Sequence, residues 1–140
     1  LENNAQLLDI VRKVRFKAPI QKVWNAVATS EGLEAWFMPN DMQPEEGHEF
    51  HLNAGQFGMS PCKVTKVDPP NTLSFRWGKD WTLSFELLEV EDGTEFTLIH
   101  SGWDVNKVTE FGAPHTAVRG NMENGWAGMV ENKLRAYVEA

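Results

Sequence analysis

The sequence predicts an α+β fold in which two short helices, a curved antiparallel sheet and one long closing helix form a cup. Three observations carry this. A helical pattern runs through Ala18-Pro19-Ile20-Gln21-Lys22-Val23-Trp24 and on to Ser30-Glu31-Gly32-Leu33-Glu34-Ala35-Trp36-Phe37. Period-two alternation, broken by turn residues, fills the middle of the chain. An apolar stripe at three- and four-residue steps closes it. Strands grouped apart from helices mark α+β rather than a parallel α/β sheet.

The elements follow in order. Residues 1–8 read as a loose lead-in. Residues 9–18 place Ile10, Val11, Val14 and Phe16 among basic residues, which suits a strand. Pro19 ends it and fits a first helical turn, where its missing N–H costs nothing. Val23, Trp24 and Val27 recur at helical spacing. Ser30 is the expected N-cap of a second short helix carrying Leu33, Trp36 and Phe37, which Pro39 and Asn40 stop. After a polar loop over 40–47, strands are predicted at 48–54, 61–67, 72–77, 81–90 and 94–101. Their breaks are Gly55 and Gly58, Asp68-Pro69-Pro70-Asn71, Gly78-Lys79-Asp80 and Glu91-Asp92-Gly93. Residues 102–114 are irregular.

From His115 a single helix is predicted. Its stripe is Val118, Met122, Trp126, Met129, Val130, Lys133, Leu134 and Tyr137. Gly120, Gly125 and Gly128 each weaken it by roughly 1 kcal/mol relative to alanine. The expectation is that they let the helix approach the sheet or bend over it. With no repeat, linker or low-complexity tract, residues 1–140 are expected to form a single domain.

Composition narrows the function classes. Thirteen basic residues face twenty acidic ones, a net charge of −7. That disfavours nucleic acid, whose binding depends on Lys and Arg neutralising phosphates. Arg12, Lys13, Arg15 and Lys17 alternate between strand faces and make no single stripe. A chain of this length buries roughly two-thirds of its unfolded surface, so it needs no disulfide or metal to fold. One cysteine, Cys62, cannot pair within the chain, and the first residues lack a signal-peptide pattern. No stretch approaches the roughly 20 apolar residues of a membrane span. The expectation is a cytoplasmic monomer without membrane insertion.

The inward strand faces and the helix stripe supply a candidate pocket wall. It comprises Phe50, Leu52, Leu73, Phe75, Trp77, Trp81, Leu83, Phe85, Phe96, Leu98, Met122, Trp126, Met129 and Val130. The competing reading for each is an ordinary packed core. Six Trp and five Met in one small domain suit an adaptable apolar cavity. Trp36, Met38, Phe57, Met59, Trp103 and Phe111 lie in or beside loops and are candidates for its mouth or lid. His100 shares a strand face with Phe96 and Leu98. It is a candidate to orient a ligand or act as a base, or else a satisfied structural histidine. His48 and His51 fall on opposite strand faces, so no metal site is expected. Cys62 has no recognisable histidine partner, there is no Gly-rich phosphate loop, and neither catalytic residues nor a cofactor are assigned.

The order of elements, with Ala18-Pro19, Val23-Trp24, Leu33 and Trp36 near one end and Gly125-Trp126, Leu134 and Tyr137 near the other, resembles the START-like (SRPBCC) helix-grip superfamily. Within it the chain resembles the branch related to the C-terminal domain of activators of the heat-shock protein 90 ATPase. The resemblance runs from about Ile10 to Val138. It implies a curved antiparallel sheet wrapped around the C-terminal helix, with a cavity between them. Superfamily members bind lipids, sterols, hormones, flavonoid-like aromatics or polyketides, and some are cyclases or hydrolases. The leading expectation is therefore a binding protein for a small hydrophobic ligand. The alternatives are a cyclase- or hydrolase-type enzyme using the same cavity, and a chaperone-interacting module.

Overall fold

The structure, a computed structural model, describes residues 7–55, 58–109 and 112–140. Strand β1 (Ile10–Phe16) leads into helices α1 (Ile20–Ala28) and α2 (Ser30–Trp36). Strands β2 (Glu49–Asn53), β3 (Met59–Asp68), β4 (Thr72–Trp77), β5 (Trp81–Val90) and β6 (Gly93–Ser101) follow. All pair antiparallel in one six-stranded sheet of order β1-β6-β5-β4-β3-β2. The alternation holds on the inner face: Phe50, Leu52, Val64, Leu73, Phe75, Trp77, Leu83, Phe85, Phe96, Leu98 and His100 are buried. Arg76 and Glu86, on the opposite face, are exposed.

One local expectation is corrected. The α2 cap is Thr29, whose Oγ1 accepts from the Gly32 N–H at 2.9 Å; Ser30 is the first helical residue, and its hydroxyl donates to the Asn40 carbonyl at 2.6 Å. The register shift in the sheet falls within β3, between Val64 and Lys66. The two short helices pack closely at Gly32, where any Cβ would collide with the α1 backbone at Asn25 and Ala26. Trp36 Nε1–H then donates to the Ala26 carbonyl at 2.9 Å, pinning α2 to α1.

The closing helix runs as α3 (His115–Gly128), a π-helical segment (Met129–Leu134) and α4 (Arg135–Val138). Its fully buried apolar residues are Trp126, Val130, Leu134 and Val138, spaced by four. In an α-helix, residues four apart drift by about 40° per step. The wider i→i+5 turn counters that drift and keeps the stripe on the core. The change of phase puts Val138 inside and leaves Tyr137 39% exposed, contrary to the simple stripe. The helix glycines do not serve a close approach. An added Cβ at Gly120 or Gly128 would meet nothing within 4 Å, and at Gly125 only the Met129 methyl.

Candidate functional site

The site begins at the β4–β5 hairpin. A short turn places Trp77 and Trp81 opposite one another, with ring centroids 5.1 Å apart and edge-to-face. The β6 residue His100 lies beneath them. Its ring stacks on Trp77 at 5.3 Å, meets Trp81 edge-on at 4.8 Å, and touches Trp103 at 4.6 Å and Trp126 at 6.0 Å. Trp126 Nε1–H donates to His100 Nδ1 at 3.0 Å, and Trp103 Nε1–H donates to the His100 carbonyl at 3.0 Å. An indole N–H can only donate, so the histidine proton sits on Nε2. Burial in this indole cage, reinforced by the nearby charges of His115 and Arg119, lowers the His100 pKa to about 3. The ring is therefore neutral at physiological pH.

Above this cage, a cavity of about 620 Å³ opens between the sheet end, α3 and the segment after α2. Phe37, Met38 and Pro39 form one side, with Phe37 packed on Trp77 at 5.6 Å and Trp126 at 5.0 Å. Trp77, Gly78 and Trp81 form the hairpin wall. Asn53, Ala54 and Ser60 come from the β2 and β3 ends, Thr109 and Ala113 from the loop before α3, and Val118, Asn121 and Met122 from α3. No ionisable side chain is among these lining residues. Such a volume and apolar lining fall in the usual range for small-molecule sites. Two more open depressions, about 430 and 380 Å³, are edged by charged side chains such as Lys63 and Arg76, or Glu131 and Arg135.

The loop over the cavity is fastened at Asp80. Lys107 Nζ lies 3.1 Å from Asp80 Oδ1, and His115 Nε2 lies 3.7 Å from Oδ2. His115 Nδ1 accepts the Asp104 N–H at 3.2 Å, which again puts the proton on Nε2, toward the carboxylate. Gly102 has φ 98°, and its bare Cα sits against the Asp80 carbonyl, where a side chain would collide.

Of the residues singled out in the sequence, Trp77, Trp81 and Met122 line the cavity, and Met38 joins them from the proposed mouth. Trp36, Phe75, Phe85, Phe96, Leu98, His100, Trp103, Trp126 and Val130 are buried behind that wall and do not line it. Phe50, Leu52, Leu73 and Leu83 are core residues too. Met129 is partly buried against the core, and Met59 is 57% exposed. Phe57 and Phe111 lie outside the described residues. Sequence reasoning did not single out Pro39, Asn53, Thr109 or Asn121. His115 entered that reading only as the start of the closing helix. The two tryptophans flanking Gly78-Lys79-Asp80 were the available signal, since a tight turn forces such neighbours to face one another.

The profile of the family described as Activator of Hsp90 ATPase homolog 1-like protein matches residues 17–139. The chain belongs to this family. A Bacillus halodurans protein of known solution structure is 49% identical, with 96% of this chain and 99% of that one covered and a TM-score of 0.87. A Mesorhizobium loti protein is 26% identical over 93% of this chain and 96% of its own, with a TM-score of 0.82. The Aha1 dimer from Colwellia psychrerythraea shares the fold at 23% identity, covering 95% and 97%, with a TM-score of 0.75. Among the curated proteins none matches. The START-like assignment and the helix-grip architecture read from the sequence agree with these findings. Among the described residues no helix is long and apolar enough to cross a membrane.

Proposed function

We propose that this family member binds a small apolar molecule in the cavity between the β4–β5 hairpin, the Phe37–Pro39 segment and α3. The observation that carries the reading is the cavity itself: about 620 Å³, walled largely by aromatic, Met, Val and Pro side chains and, among the described residues, without an ionisable group in its lining. Ligand apolar area would be removed from water there at about 25 cal/mol per Å², less the costs of association and ordering. The indoles of Trp77 and Trp81 favour a flat aromatic body. The family, whose fold is a ligand-binding one in general, supports the same reading.

The cyclase or hydrolase reading drew on His100 as base. A ring whose conjugate acid has a pKa of about 3 is a weak base at neutral pH, and His100 lies behind the cavity wall. The chaperone-docking reading calls for a contiguous exposed apolar patch. Among the described residues, the exposed large apolar side chains are instead spread over several elements, as with Val11 on β1, Met59 on β3, Leu88 on β5 and Tyr137 on α4.

The test is an NMR titration of labelled protein against lipids, sterols, flavonoid-like aromatics and polar metabolites. The expected result is shifts concentrated at Met38, Trp77, Trp81, Val118 and Met122, with one chemical class. No perturbation of these residues by any apolar compound would refute the reading.

A further inference from the structure

The two edges of the sheet are finished differently. The β2 edge is closed by the segment 39–41. Asn40 bridges to Leu52, the Asn53 N–H donates to the Pro39 carbonyl at 2.8 Å, and the His51 N–H donates to Asp41 Oδ1 at 2.8 Å. At the β1 edge the closing helix fastens only the ends. Arg119 donates to the Leu8 and Asp9 carbonyls at 2.8 and 3.3 Å, and Arg135 to the Arg15 carbonyl at 3.2 Å. Glu139 accepts the Lys17 N–H at 2.9 Å. Between these ends the ladder alternates. The Val90–Gly93 pair closes a two-residue hairpin, so odd residues of β6 bond to β5 and even ones to β1. The register Ile10–His100 then turns the backbone groups of Ile10, Arg12, Val14 and Phe16 inward, toward β6. The N–H and C=O groups of Val11 and Lys13 point outward. Among the described residues no side chain or loop bonds to them.

Charge decides what such an edge accepts. Arg12 lies on the helix side of β1, half-buried, with a buried Nε that has no acceptor. Lys13 and Arg15 are exposed on the other face, and Lys17 follows. Among the described residues none of these four forms an ion pair. The acids of the closing helix, Glu123, Glu131 and Glu139, are held by Arg119 and Arg135. Asp9 and Glu95, the latter directly across from Arg15, offset the cations in part. A second copy pairing antiparallel over Val11–Lys13 would set Arg12 against Arg12, and like charges directly opposite oppose pairing. An acidic strand meets the reverse. Cations on alternating faces make no stripe for a phosphate backbone, but an added strand alternates its side chains in the same way.

We infer that β1 is a docking edge for an acidic peptide in extended conformation, which adds to the six-stranded sheet as a further strand beside Val11–Lys13. The peptide backbone exchanges hydrogen bonds with the outward groups of Val11 and Lys13. Its carboxylates fall beside Lys13 on the outer face and beside Arg12 on the helix side. Arg119 and Arg135 bound the window, so the paired core of the peptide is about three residues long. The edge is separate from the cavity, whose lining includes none of these residues.

The test titrates isotope-labelled protein with a capped Thr-Val-Glu-Glu-Val-Thr peptide, whose adjacent glutamates place one carboxylate on each face. Two further copies are N-methylated, each at one of the two sets of alternate residues. A strand turns only one set toward β1, so one methylated copy should lose about tenfold in affinity or more and the other should bind like the parent. The amide protons of Val11 and Lys13 should move downfield with the parent peptide. A copy with lysine in place of both glutamates should not bind. The exposed substitution Lys13→Glu should weaken the acidic peptide and admit the lysine copy. Equal binding of both methylated copies would show attraction by charge without strand pairing and overturn the inference. So would shifts centred away from β1, no binding of the acidic peptide, or sedimentation showing that a second copy takes the edge. Tighter binding of an oligothymidylate at the same amides would assign the edge to nucleic acid instead.

Discussion

Replacing His100 with Gln should remove an acid-sensitive component of folding stability. His100 is fully buried within the Trp77, Trp81, Trp103 and Trp126 cage, and its pKa falls from 6.5 to about 3 on folding. Desolvation is the main cause, followed by the charges of His115 and Arg119. The sign follows from proton counts. Below 6.5 the unfolded chain binds a proton at this site that the folded chain refuses, so acid favours unfolding. The contribution is fully present above 6.5 and is lost as the pH falls toward 3. Each pH unit in that window costs about 1.4 kcal/mol, or about 2 kcal/mol by about pH 5. Gln is uncharged throughout, and its amide oxygen can still accept from Trp126 Nε1–H. Urea unfolding followed by far-UV circular dichroism, at neutral pH and in steps down to about pH 5, measures both proteins. Every other ionisable group is common to the two proteins and drops out of the difference. The wild type should lose about 2 kcal/mol more than the variant over that range. Parallel losses in the two proteins would refute the claim that burial suppresses protonation of His100.

Three further outcomes are expected. Gly120→Ala should stabilise the protein by about 0.5–1 kcal/mol, since the position is helical and exposed and an added methyl group meets open space; a lowered thermal midpoint would contradict it. Gly32→Ala should destabilise by several kcal/mol or prevent folding, because the Cβ strikes the α1 backbone rather than a movable side chain; a wild-type urea midpoint would show that the α1–α2 contact is looser than described. Asp80→Ala should speed amide exchange at Lys107, Thr109 and His115, because both fastenings of the loop before α3 end on that carboxylate; unchanged exchange there would assign the loop's order to its own backbone bonds.

How far the fold was legible can be judged from particular elements. The runs Thr72–Trp77 and Trp81–Val90 are strands with the residue limits that alternation and turn residues indicate. Period two is a local property, so it survives without knowledge of what packs above the sheet. Pro19, Thr29 and the Glu91-Asp92-Gly93 turn act locally too, although the choice between Thr29 and Ser30 as cap rested on which hydroxyl Asn40 engages. The closing helix was visible from its stripe, but its π segment was not. The phase change depends on keeping Trp126, Val130, Leu134 and Val138 against one sheet.

The cavity shows where sequence reading stops. Composition and the inward pattern determine that a sheet rich in aromatic residues faces a helix, and that the interior is apolar and without a dense cluster of charges. They do not decide which aromatics fill the interior and which leave a space, because both kinds alternate identically along a strand. Phe85, Phe96 and Trp126 are covered by partners contributed from distant parts of the chain, such as Trp36 and Phe16. Trp77 and Trp81 keep one side toward the cavity because Phe37–Pro39 and α3 diverge around them. The same holds for charge: His100 and His115 have the same intrinsic chemistry, yet only the tertiary arrangement gives one a Trp126 donor in a closed cage and the other an Asp80 carboxylate. Side-chain chemistry is written residue by residue, whereas cavity volume, desolvation and hydrogen-bond partners are properties of what several remote segments bring together.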